Sequence, residues 1–152
     1  MLGRVSSLRL RLSDGPALLG TFAKLADPEA AAVLAGSGFD FAIVDREHSQ
    51  LSESQAAALV RRMLDAGLPA LVRLAALDRG EINRLLEAGA SGIQLSSVRS
   101  AGQVHELVEA MRYPPDGARS LSLAHAQAGF GAMPLREYLD TTRGDGAPLA
   151  VI

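Results

Sequence analysis

The residues best suited to chemistry stand in one short segment. Phe39-Asp40-Phe41-Ala42-Ile43-Val44 is a largely apolar run, and it ends in Asp45-Arg46-Glu47-His48. Two carboxylates, a guanidinium and an imidazole side by side can hold an anion and move a proton. The run reads as a buried strand, and a buried strand finishes in ionisable groups where its end opens on a wet cleft. In α/β proteins ligands sit at the carboxyl ends of parallel strands. His48 is the candidate general base, because imidazole is the ordinary acid–base side chain near neutral pH. Asp45 or Glu47 could fix its tautomer. The competing reading is a partly exposed loop histidine, and the two neighbouring carboxylates favour function over it.

Other strand-like segments end in polar groups too. Arg73 lies inside Leu71-Val72-Arg73-Leu74, where an unpaired guanidinium would be costly to bury. It should therefore face an anion. That anion is either a substrate carboxylate gripped bidentately or Asp45 or Glu47 in a structural salt bridge. Both can hold at once. Gln94, Ser96 and Ser97 close a later apolar run; Ser96 and Ser97 are candidates to bind substrate, or simply to end a strand. Arg119 follows the turn Tyr113-Pro114-Pro115-Asp116-Gly117 and could close on a substrate, against an ordinary loop arginine. His125 reads as solvent-exposed in a long loop, and His105 as inert on the polar face of a helix. Lys24 reads as a solvated lysine, since nothing beside it in sequence favours the neutral amine of Schiff-base chemistry. There is no glycine-rich phosphate loop.

These groups need elements to position them, and the chain alternates apolar runs with amphipathic ones. Strands are expected at 17–22, 41–44, 69–74 and 92–95. Each is followed by a helix start: Asp27-Pro28-Glu29, the capping boxes Ser52-x-x-Gln55 and Ser100-x-x-Gln103, and Asp78-x-x-Glu81. The inward faces are Leu59, Val60, Met63 and Leu64; then Ile82, Leu85 and Leu86; then Val104, Leu107, Val108 and Met111. Four βα units in succession predict an α/β fold with a parallel sheet and right-handed crossovers. A turn at 113–117, a long loop over 120–133 with one short helix, a helix over 134–142 and a fifth strand from Pro148 complete the pattern. A loop that long is more often functional than idle. A (β/α)8 TIM barrel takes about 250 residues, so the expectation is a single domain, 1–152, carrying the first five β units of such a barrel. The alternative is a smaller open sheet.

Composition narrows the classes. The 152 residues are 48% hydrophobic and 21% charged, with a net charge of −2 and no cysteine. That balance offers no electrostatic footprint for nucleic acid or an anionic membrane. Disulfides, thiolate catalysis and cysteine-ligated zinc are excluded. No apolar run approaches the roughly 20 residues of a membrane helix, and the N-terminus lacks the apolar core of a secretory signal. A cytoplasmic location is expected.

Four motifs, in order, resemble one family. Gly38-Phe39-Asp40-Phe41 with Val44-Asp45-Arg46-Glu47-His48 is similar to the "GFD…D-x-E-H" signature of the HpcH/HpaI aldolases. Leu71-Val72-Arg73 resembles their third-strand "V-R" motif, and Leu86-Glu87-Ala88-Gly89-Ala90-Ser91-Gly92-Ile93 their "L-D-x-G-A-x-G" segment. Arg112-Tyr113-Pro114-Pro115-Asp116-Gly117-Ala118-Arg119 is similar to "R-Y-P-P-x-G-x-R". The likeness runs over about residues 17–152. It implies a (β/α)8 barrel that cleaves 4-hydroxy-2-oxo acids to pyruvate and an aldehyde, with a divalent metal (Mg2+, Mn2+ or Co2+). By the same resemblance His48 is the acid–base residue and Arg73 holds the pyruvyl group and its enolate. Asp45 and Glu47 orient His48 and a metal-bound water. The family's metal ligands, a Glu just past the fifth strand and an Asp after the sixth, would lie beyond Ile152, so no metal ligand is assigned here. Ser96 stands where the family commonly has proline, and His125 where it has an arginine. A small 2-oxo acid substrate and a homo-oligomer are implied. A carbon–carbon bond-forming synthase on the same scaffold, or a non-catalytic half-barrel acting in binding or assembly, are the alternatives.

Overall fold

The computed structural model describes residues 8–152. Strands β1 (Gly20–Ala23), β2 (Phe41–Asp45), β3 (Ala70–Leu74), β4 (Gly92–Leu95) and β5 (Leu149–Val151) form one parallel sheet in the order β1-β2-β3-β4-β5. The order decides the architecture. A doubly wound sheet reverses direction partway; here every crossover moves one strand in the same sense, as in the wall of a (β/α)8 barrel. The helices are α1 (Leu8–Asp14), α2 (Glu29–Gly36), α3 (Glu53–Asp65), α4 (Arg79–Ala88), α5 (Ala101–Met111) and α6 (Leu135–Thr141). None is long and apolar enough to cross a membrane.

Local signals in the sequence start most of these helices. Ser52 accepts from the Gln55 N–H while the Gln55 side chain accepts from the Ser52 N–H, so the capping box forms. Asp78 accepts from the Glu81 N–H and Ser100 from the Gln103 N–H. At α2, Asp27 accepts from the Glu29 N–H at 2.9 Å. Helix α4 ends at Gly89 with φ +116, a left-handed conformation that suits glycine. One inward assignment fails: Leu64 is exposed, and Ala56 joins Leu59, Val60 and Met63 on the buried face of α3. Helix α1 was not expected. It is held by tertiary bonds, with Arg9 donating to the Ala147 and Pro148 carbonyls and Arg11 to Asp40.

Alternation along the strands divides the sheet into two faces. Ala23, Val44, Val72 and Ile93 follow one another in register and are buried against the helices. The other face carries Phe22, Ile43, Leu71 and Gly92 in one row, then Asp45, Arg73, Gln94 and Val151 in the next. Chemistry is thus confined to the face away from the helix layer, at the carboxyl ends of the strands.

Residues 112–146 build a second, smaller core at the opposite end. The loop expected over 120–133 holds a 3-10 turn (Ala126–Gly131) that packs Ala128 against Tyr113 and Tyr138. Gln127 donates to the Leu86 carbonyl near the end of α4. The segment lies along the helix layer, toward the amino ends of the strands.

Candidate active site

Asp45 is the hub. Its side chain is fully buried at the end of β2. Oδ1 accepts from Arg73 Nε at 3.0 Å and from the backbone N–H groups of Glu47 and His48 at 3.1 Å each. Oδ2 accepts from Arg73 Nη2 at 2.7 Å and from Lys24 Nζ at 3.1 Å. The Arg73 guanidinium holds the Asp45 carboxyl far below the usual carboxylate range; burial opposes this, and the two N–H groups and Lys24 reinforce it. Asp45 is therefore an anion at neutral pH. Its bonds fix the turn that follows β2 and the guanidinium beside it, and it makes no contact with the His48 imidazole.

That role falls to Glu47. Its Oε2 accepts from the Ser96 hydroxyl at the end of β4 and lies 3.4 Å from Arg73 Nε and 3.8 Å from His48 Nε2. The imidazole is two-thirds exposed, while Glu47 is 17% exposed. A largely sheltered carboxylate thus faces an accessible imidazole.

Arg73 is held on three sides. Asp45 takes its Nε–H and one Nη2–H, Glu47 stands behind Nε, and the Phe22 ring lies 4.5 Å from the guanidinium carbon. A guanidinium has five N–H groups. Its Nη1 and the second Nη2–H make no hydrogen bond among the described residues and form a fork of the kind that grips a carboxylate. The side chain is 18% exposed, so the fork is fixed and still reachable.

The family profile described as HpcH/HpaI aldolase/citrate lyase matches residues 18–143. The chain belongs to the HpcH/HpaI aldolase/citrate lyase family. It is 35% identical over 137 residues to a hydroxypyruvate/pyruvate aldolase of Roseovarius nubinhibens, a match covering 90% of this chain and 52% of the relative. It is 36% identical over 129 residues to a 4-hydroxy-2-oxovalerate aldolase of Novosphingobium aromaticivorans, covering 84% and 49%. The crystal structure of an HpcH/HpaI aldolase from Desulfitobacterium hafniense superposes with a TM-score of 0.84 at 30% identity, covering 94% of this chain and 55% of that one. The chain spans about half the length of the curated relatives it matches.

Within this HpcH/HpaI fold the expected residues divide. Asp45, Glu47, His48, Arg73 and Ser96 come together. Ser97 does not: it is exposed in the turn after β4, at φ +54, and its side chain makes no bond with the cluster. Arg119 is the clearest correction. It is 7% exposed, packs over the Tyr113 ring at 4.5 Å and donates from Nε to Asn83 Oδ1 at 2.9 Å. The double-proline turn follows the carboxyl end of α5, so it returns the chain to the amino end of the sheet, away from the cluster. His125 is a second correction. It is buried, edge-on to Tyr138 at 5.3 Å, with Nε2 3.0 Å from the Ser122 carbonyl. Tertiary packing on Tyr138 buries a residue that local composition would leave in water. His105 lies on the polar face of α5, 3.5 Å from Glu109. Arg46 turns away from the site to bind Glu81 and the Leu51 carbonyl.

Two participants were not expected. Phe22 supplies the ring under Arg73, and Lys24 is bound to Asp45 rather than free in solvent. A signal for Lys24 was present: it is the only lysine in a sequence with 14 arginines.

The divalent metal that the resemblance implies finds no site in these side chains. Asp45 is saturated by two cations and two N–H groups, and Glu47 Oε2 is taken by Ser96. The described residues contain no cluster of three or more His, Asp or Glu side chains that could hold an ion.

Proposed function

We propose that this chain supplies the carboxylate grip and the proton-transfer group of a lyase that cleaves a 4-hydroxy-2-oxo acid to pyruvate and an aldehyde. The observation that carries the proposal is the Arg73 fork, locked by Asp45 and open beside an exposed imidazole. The substrate carboxylate docks on the fork. His48 takes the proton of the C4 hydroxyl, directly or through one water. The C4–O electrons form the aldehyde carbonyl, the C3–C4 pair passes to the pyruvyl fragment as its enolate, and a proton returned to C3 completes pyruvate. Arg73 is a fixed cation where negative charge grows on that fragment, and Glu47 stabilises the imidazolium that His48 becomes. The same groups serve the reverse condensation, which covers the synthase reading. The names of the two aldolase relatives support a small 2-oxo acid as donor, pyruvate or hydroxypyruvate. A divalent metal held by groups outside this cluster, a homo-oligomer and a cytoplasmic location complete the proposal.

The test is proton exchange at the pyruvate methyl, followed by NMR in D2O with the complete protein and added Mg2+ or Mn2+. His48→Ala slows exchange by about 100-fold or more. Arg73→Ala slows it and raises the pyruvate KM as well. Exchange at the wild-type rate in both variants removes these residues from the mechanism.

A further inference from the structure

Lys24 follows directly on β1, and its Nζ lies 3.1 Å from Asp45 Oδ2. Arg73 Nη2 lies 2.7 Å from the same oxygen. The two nitrogens are therefore no more than 5.8 Å apart, the sum of those distances. One carboxylate spans such a gap when each of its oxygens accepts from one nitrogen. Asp45 is sealed from solvent beneath the pair, while the Lys24 side chain is 48% exposed. An ammonium has three N–H groups. One meets Asp45, and the other two have no partner among the described residues. Two positive charges thus share the buried Asp45 carboxylate, with Glu47 3.4 Å from Arg73 Nε as a second anion on the Arg73 side, and both cations keep unspent donors.

The residue type fits. A guanidinium at position 24 would compete with Arg73 for both Asp45 oxygens, because its planar fork matches a whole carboxylate. An ammonium is a point donor that takes one oxygen and leaves the Arg73 grip intact. The chain uses arginine at its 14 other basic positions and lysine here.

We propose that Lys24 is a second substrate-binding residue, which with Arg73 clamps the carboxylate of the 2-oxo acid. This rests on the reading that Arg73 receives that carboxylate. The test uses the complete protein with Mg2+ and oxalate as the probe anion. Saturating oxalate slows acylation of the Lys24 amine by N-hydroxysuccinimide acetate at least fivefold, measured by mass spectrometry of the peptide carrying it. Lys24→Met raises the oxalate Kd and the pyruvate KM by about tenfold, the weight of one charge-assisted hydrogen bond, and keeps kcat within about threefold. Labelling unchanged by oxalate overturns the proposal. So does a Lys24→Met variant whose oxalate Kd stays within twofold while kcat falls, since that is the signature of a prop for Asp45. If Lys24→Met does not fold, protection of the wild-type amine decides alone. Wild-type protein that binds no oxalate refutes the Arg73 reading and this proposal together; normal oxalate binding with unprotected Lys24 refutes this proposal only.

Discussion

Replacing Asp45 by Asn tests the charge arrangement with the smallest change of shape. Asn keeps one acceptor oxygen and puts an N–H2 group where Oδ1 or Oδ2 accepted from cations. Arg73 and Lys24, at most 5.8 Å apart, lose the anion between them. Their mutual repulsion is about 3 kcal/mol at an effective dielectric of about 20, and the half-exposed Lys24 relieves part of it by swinging into water. Removing one partner of a buried pair costs about 3–5 kcal/mol. A loss of about 3–4 kcal/mol is expected at pH 7, and melting followed by far-UV circular dichroism should show a Tm lowered by about 6–16 °C. The dependence on pH has a definite sign. Asp45 is held below its ordinary value of 3.8, so the stability it contributes is fully present above that pH and is lost as pH falls. The gap between wild type and Asp45→Asn narrows by about 1.4 kcal/mol for each pH unit below the ordinary value. Adding Lys24→Met to Asp45→Asn recovers part of the loss. A gap under about 1 kcal/mol at pH 7, or one that stays constant from about pH 7 down to about pH 2.5, would refute the account of Asp45 as the hub.

Two further outcomes concern the scaffold. The Tyr113 and Tyr138 hydroxyls are 3.0 Å apart in the smaller core; Tyr138→Phe leaves the Tyr113 hydroxyl buried without its partner and costs about 1–3 kcal/mol, read from urea unfolding. A Cβ at Gly92 would stand 2.3 Å from the Leu149 carbonyl oxygen in the paired strand. Gly92→Ala therefore loosens β5 and costs about 1–3 kcal/mol or more, with faster amide exchange across the β4–β5 pair; unchanged exchange there would mean that β5 adapts without leaving the sheet.

Much of the site was legible because its signals are local. The run of ionisable groups after Val44 marks a strand end, and an arginine inside Leu71-Val72-Arg73-Leu74 demands an anion. The strand rhythm and the capping boxes gave β1 to β4 and α2 to α5 to within a few residues. What stayed hidden depends on contacts between distant segments. Leu64 carries the right helical spacing, yet the packing of α3 turns it outward. Arg119 and His125 look like loop residues until Tyr113 and Tyr138 bury them. Helix α1 exists through bonds to Asp40, Ala147 and Pro148, which no local pattern encodes.

The sequence by itself determined which side chains can carry charge and protons and which strand ends they follow, because alternation and capping act over a few residues. The tertiary structure alone decided how the charges divide. The parallel register brings Asp45 beside Arg73, commits that carboxylate to two cations, leaves Glu47 to face His48, and turns Arg119 to the far end of the sheet. Register and crossover direction are long-range properties, fixed by burying Val44, Val72 and Ile93 in one continuous row. No stretch of a few residues contains them.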